Sequence, residues 1–151
     1  MKSITLLTLL TSLSISAFAA DSSTSKSYIQ LSEQKKLEQD KTWLRLMYAN
    51  EKGKSEVEYS GYFLSNQGKS DLKKELHSNI QALFQSAESN QSVRCRFPAR
   101  SQWIMRQLEI QESELPAVEC PEYDQWMGQI KPYKATLIYA TDFMGNPSSM
   151  F

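Results

Sequence analysis

Apolar residues recur at helical spacing along much of this chain, and the places where that rhythm breaks mark its elements. Between Leu31 and Ala49, Leu37, Leu44, Met47 and Tyr48 fall on one face, Trp43 widens the stripe, and Lys and Glu fill the other faces, which predicts a first helix. Asn50 to Ser55, with Gly53, closes it. Tyr59 to Leu64 is aromatic and suits an extended segment, and Ser65-Asn66-Gln67-Gly68 reads as a turn. A second helix is expected with Ser70 as its cap and Asp71 in its first turn; Leu72, Leu76, Ile80, Leu83, Phe84 and Ala87 form its buried face. Pro98 opens a third helix carrying Trp103, Ile104 and Leu108, and Glu114-Leu115-Pro116 breaks it. Pro121 starts a short fourth helix with Tyr123, Trp126 and Met127, ended by Pro132. Tyr133 to Ala140, rich in Thr, Ile and Tyr, is the best strand candidate. The predicted class is mainly α with a minor β part (α+β): about four helices, one or two short strands, and a single disulfide-linked domain.

The first residues have the layout of a secretory signal peptide. Lys2 gives a positive start, Ile4 to Ile15 is apolar, and Ala17-Phe18-Ala19 is a small-x-small cleavage site. The apolar stretch is interrupted by Ser and Thr and falls short of the roughly 20 residues that a membrane span needs. The expected organisation is therefore a signal peptide over 1–19, cleaved after Ala19, and a flexible leader over 20–30. A mainly helical accessory domain over 31–140 follows, and then the start of a following domain or linker over 141–151. The expected location is the periplasm or another exported compartment, with no transmembrane span in the mature chain.

Charge and cysteine content narrow the picture further. Basic and acidic residues number 17 each, so no global field points to nucleic acid. An oxidising compartment gives the two cysteines, Cys95 and Cys120, a natural role as a disulfide. The alternative is a nucleophilic cysteine, but His77 is the only histidine to serve as its base, and it lies mid-helix among Lys74, Glu75 and Ser78. No His or Cys partner stands at metal-ligand spacing from it, so neither a metal nor another cofactor is expected. Trp43, Trp103 and Trp126 fit a core better than an aromatic binding surface.

Arg94-Cys95-Arg96-Phe97-Pro98-Ala99-Arg100 is the most unusual segment. Arg96 and Arg100 flank the start of a helix, the end whose dipole disfavours cations. Carboxylates can offset this, with Glu112, Glu114, Glu119 and Glu122, in and beside the segment between the cysteines, as the candidates. An anionic ligand or a partner carboxylate, gripped by the two guanidinium groups, is the functional alternative.

Three blocks stand out together: Trp43-Leu44-Arg45-Leu46-Met47-Tyr48; Tyr62 to Lys69 followed by Cys95-Arg96-Phe97-Pro98-Ala99-Arg100 and Cys120; and Asn146-Pro147-Ser148-Ser149-Met150-Phe151. Together they resemble the Lnb N-terminal periplasmic domain family of bacterial envelope proteins, the last block being similar to the start of a motif that continues there into Gly-His-Thr. The resemblance implies an enzyme-like portion, related to papain-type cysteine hydrolases and acyltransferases, beyond that last block. No catalytic residue carries over to this chain. It reads as a noncatalytic exported module, the N-terminal accessory domain of a lipoprotein acyltransferase or cysteine-hydrolase-like protein. Tyr139, Asn146, Pro147, Met150 and Phe151 are the expected contacts to a following domain or a separate envelope protein. The alternatives are a periplasmic module binding an anionic lipid or partner through Arg96 and Arg100, and a cysteine-dependent enzyme.

Overall fold

The computed structural model describes residues 17–130, with side chains from residue 23 onward. Among the described residues six α-helices succeed one another: α1 (Ala17–Gln34), α2 (Lys41–Leu46), α3 (Leu72–Leu83), α4 (Val93–Arg96), α5 (Pro98–Leu108) and α6 (Pro121–Gln129). Among the described residues there is no sheet, only an isolated antiparallel bridge between Ala49 and Ser55. The mainly helical class is as the sequence predicts. The signal-peptide residues 1–16, the strand candidate Tyr133 to Ala140 and the expected interdomain contacts lie outside the described residues.

Where the sequence predicts one helix from Leu31 to Ala49, the chain makes two and a corner. Helix α1 stops at Gln34, Lys36 takes a left-handed conformation (φ 53°), and Leu37–Gln39 form a 3-10 turn. Asp40 then caps α2, its carboxylate accepting from the Thr42 amide at 2.7 Å. A good N-cap restarts the helix in a new direction, and both Leu37 and Trp43 reach the core from it. The stretch expected as a flexible leader, residues 20–30, forms part of α1. Tyr28 and Ile29 pack against the core, and the Tyr28 ring stacks on Phe84 with centroids 5.5 Å apart.

Helix α3 buries Leu72, Leu76, Ile80 and Leu83 as its spacing predicts. Its cap is Asp71, which accepts from the Lys74 amide at 3.0 Å, rather than Ser70. Phe84 is the buried C-cap residue and Ala87 lies exposed beyond the helix. Tyr59 to Leu64, read as an extended segment, contains a 3-10 turn over Ser60–Tyr62. The short α4, capped by Ser92, is an element that periodicity over four residues does not reveal. Pro98 opens α5 as expected, and Trp103, Ile104 and Leu108 are buried.

The core joins α1, α2, α3 and α5. At its centre Trp43 and Trp103 stack with ring centroids 5.6 Å apart, and the indole N–H of Trp43 donates to the Leu72 carbonyl at 3.2 Å. That bond satisfies the one polar atom of a fully buried tryptophan. Trp126 belongs elsewhere: it is 55% exposed, and no residue of α6 is buried. Cys95 and Cys120 form a disulfide with Cα atoms 5.3 Å apart, which holds the start of α6 against α4. Closing a loop of 25 residues stabilises the fold by roughly 3 to 4 kcal/mol on the chain-entropy account.

Candidate functional site

The densest polar constellation in the fold is buried between α3, α5 and the loop before α3. Glu75 occupies a core position of α3, one turn after Leu72, and has no exposed surface; Arg100, in the first turn of α5, is 3% exposed. Their closest approach, Glu75 Oε1 to Arg100 Nη1, is 3.3 Å. The carboxylate also accepts from the amides of Leu64 (3.0 Å) and Ser65 (2.9 Å), and from the Asn79 side-chain amide at 2.9 Å. Arg100 Nη1 donates at 2.8 Å to the Tyr62 carbonyl. The guanidinium lies over two rings, 4.0 Å from the Tyr62 centroid and 4.3 Å from that of Phe97. Gly68 makes room for the carboxylate, since a Cβ there would overlap Glu75 Oε2 and come within 3.0 Å of Phe63 Cβ. A buried charge is tolerated when it is paired and hydrogen-bonded, and this arrangement does both while pinning an irregular loop to two helices.

Arg96 has a different environment. It is exposed, lies 5.1 Å from the Phe97 ring centroid and makes a long contact (3.5 Å) with the Gly61 carbonyl. The two arginines read together in the sequence are thus placed apart in character, one inside the fold and one at its surface. Arg100 pairs with Glu75, not with Glu112, Glu114, Glu119 or Glu122. The disulfide occupies both thiols, and no free cysteine is present among the described residues.

His77 lies at the α1–α3 contact, with Nε2 3.5 Å from Glu33 Oε1, and Lys73 pairs with the same carboxylate at 2.8 Å. Burial holds the His77 pKa below its ordinary value; Lys73 adds to this and Glu33 opposes it. The hydrogen bond and charge of Lys73 hold Glu33 below the usual carboxylate range. Among the described residues no group of three His, Cys, Asp or Glu side chains is placed to hold a metal ion, and no helix is long and apolar enough to cross a membrane.

An open groove of about 540 Å³ runs between α5 and the segment leading into α6. Pro98, Met105, Val118, Pro121 and Tyr123 give it an apolar floor, and Glu112, Glu119 and Asp124 an acidic rim. Arg94 also lines it, its guanidinium turned to the Pro116 carbonyl.

Glu75, Asn79 and Gly68 are the functional-site residues that sequence reasoning does not single out. A signal for the first two exists: they stand at 75 and 79 within the buried stripe Leu72, Leu76, Ile80 and Leu83, so two polar side chains sit where helical spacing calls for apolar ones. Gly68 is hidden inside an ordinary turn motif.

Residues 35–107 match a family described as a domain of unknown function, DUF7843. The matched stretch contains α2 to α4, all but the last residue of α5, and both members of the buried ion pair; it ends before Cys120 and α6. No curated protein matches the chain. No solved structure matches it either.

Two outcomes follow from this geometry. Glu75→Ala and Arg100→Ala are each expected to lower stability by about 3 to 5 kcal/mol, because each leaves a buried charge without its partner. The double variant should cost clearly less than the sum of the two, as read from urea unfolding midpoints; strict additivity would show that the groups do not act as a pair. The second outcome concerns pH. The folded-state pKa of His77 lies below its unfolded value of about 6.5, so the unfolded chain binds the proton more readily and stability is lost as pH falls below about 6.5. His77→Gln should flatten the loss of stability that sets in as pH falls below about 6.5, while leaving the more acidic loss from Glu33 in place. An unchanged slope there would contradict the assignment.

Proposed function

We propose that this chain is a noncatalytic, exported envelope module that positions or regulates an acyltransferase or cysteine-hydrolase-like domain. The observation that carries the reading is how the chain's reactive groups are used. Both cysteines are joined in the disulfide, His77 faces Glu33 and Lys73, and the buried ion pair fixes a loop. A disulfide sulfur is not a resting thiolate nucleophile. The match to a domain of unknown function over residues 35–107 is compatible with a module of this kind. The specific likeness to the Lnb N-terminal periplasmic family supports the envelope setting, as does the signal-peptide layout of residues 1–19.

A second reading is favoured by Arg96. Its exposed guanidinium beside Phe97 and the Gly61 carbonyl suits an anionic group on a lipid or partner protein. Arg100, held by Glu75, serves there by placing Tyr62 and Phe97.

Intact mass of the native protein from the cell envelope, with and without reduction and alkylation, tests the first reading. Cleavage after Ala19 and alkylation only after reduction are expected. An uncleaved product in the cytosol, or a thiol alkylated without reduction, would contradict it.

A further inference from the structure

The groove between α5 and the segment leading into α6 has walls that the body of the fold fixes. The disulfide sets the start of α6 beside α4, and α5 follows α4 after a single residue. Asn90 adds two bonds there: its amide donates to the Glu119 carbonyl (3.3 Å), and its Oδ1 accepts from the Glu122 amide (3.2 Å).

The apolar floor does not stop at the mouth of this groove. Tyr123, which lines it, lies with its ring centroid 6.2 Å from that of Trp126. Trp126, Met127 and Ile130 carry the surface on at helical spacing and are 55%, 43% and 39% exposed. Contiguous apolar surface rimmed by polar groups marks an interaction site. From Tyr123 to Ile130 the rise is about 10.5 Å, longer than one side chain covers, so the surface suits a peptide better than a small ligand.

The rim decides which chemistry fits. Glu112, Glu119 and Asp124 are exposed there, and none of them makes an ion pair among the described residues. Glu122 adds a carboxylate in the first turn of α6, a helix without a basic residue. The cation of the lining is Arg94, and its guanidinium is turned to the Pro116 carbonyl.

We propose that this face docks a segment of a partner polypeptide in which large apolar side chains alternate with arginine or lysine. The apolar side chains enter the groove and cover Trp126, and the cations meet the rim. Each of those carboxylates favours such a segment, and a guanidinium also has the Trp126 ring to lie on. An anionic membrane would bring its phosphates against Glu112, Glu119, Glu122 and Asp124. A second copy bound through the same face would set one acidic rim against the other, and like charges across an interface oppose association. Neither export nor an enzyme partner is required for this docking.

Fluorescence anisotropy of short fluorescein-labelled peptides with the full chain tests the proposal. A peptide of alternating Leu and Arg is expected to bind. Its Leu-Glu and Ser-Arg counterparts should bind at least about tenfold more weakly, the first without the charge match and the second without the apolar anchors. Glu119→Lys, Asp124→Lys and Trp126→Ala, all at exposed positions, should each weaken the Leu-Arg peptide about tenfold. Glu51→Lys makes the same charge change at an exposed loop residue that does not line the groove, and should leave that affinity nearly unchanged. No binding of the Leu-Arg peptide, equal binding of either counterpart, or an equal loss from Glu51→Lys would overturn the proposal. So would phosphatidylglycerol vesicles that bind through Trp126 while the peptide does not, in favour of a membrane surface. Dimerisation in the ultracentrifuge that depends on Trp126 and excludes the peptide would overturn it in favour of a second copy. The intact-mass measurement decides export and thiol state separately, and no peptide result bears on it.

Discussion

A carboxylate without any exposed surface has to be answered on its lone pairs, and the rest of this structure is arranged around answering Glu75. Arg100 supplies the charge. The amides of Leu64 and Ser65 and the side chain of Asn79 supply the other hydrogen bonds. These donors come from three places in the chain, so the interaction joins α3, α5 and the loop between α2 and α3. Replacing such a pair by apolar side chains of similar volume is often neutral for stability. Here that exchange would leave the Leu64 and Ser65 amides without acceptors. The pair therefore matters chiefly for holding the loop in one conformation.

The loop explains why so much polar contact is invested. From Met47 to Asp71 the chain has only a 3-10 turn and one bridge, and its backbone groups must find partners outside any ladder. Ser55 donates to the Met47 carbonyl at 2.6 Å, Tyr62 donates its hydroxyl to the Leu46 carbonyl, and Arg100 takes the Tyr62 carbonyl. A segment that looks irregular in sequence is thereby fixed by buried side chains. The aromatic rings of Tyr62 and Phe97 then cover the guanidinium that holds them.

Much of this fold is legible in the sequence, because long amphipathic stripes and prolines at helix starts are local signals. Leu72 through Leu83 and Trp103 through Leu108 fall where their spacing puts them. What is not legible depends on distant partners or on single residues. The corner at Lys36 and the cap at Asp40 divide a stripe that periodicity alone runs together. The Arg100 partner comes from 25 residues upstream, although Glu112, Glu114 and Glu119 stand nearer in sequence. Trp126 shares helical spacing with its neighbours exactly as a core tryptophan does, yet a stripe says only that a helix has a face and not that something in the described fold meets it.

A buried ion pair, and not a regular element, rigidifies the loop ahead of α3. Amide hydrogen exchange at Leu64 and Ser65 reads out that rigidity. Protection close to that of Ile80 in the core of α3 is expected, even though both amides lie outside helix and sheet. Exchange as fast as that of the exposed residues Glu51 to Gly53 would contradict it.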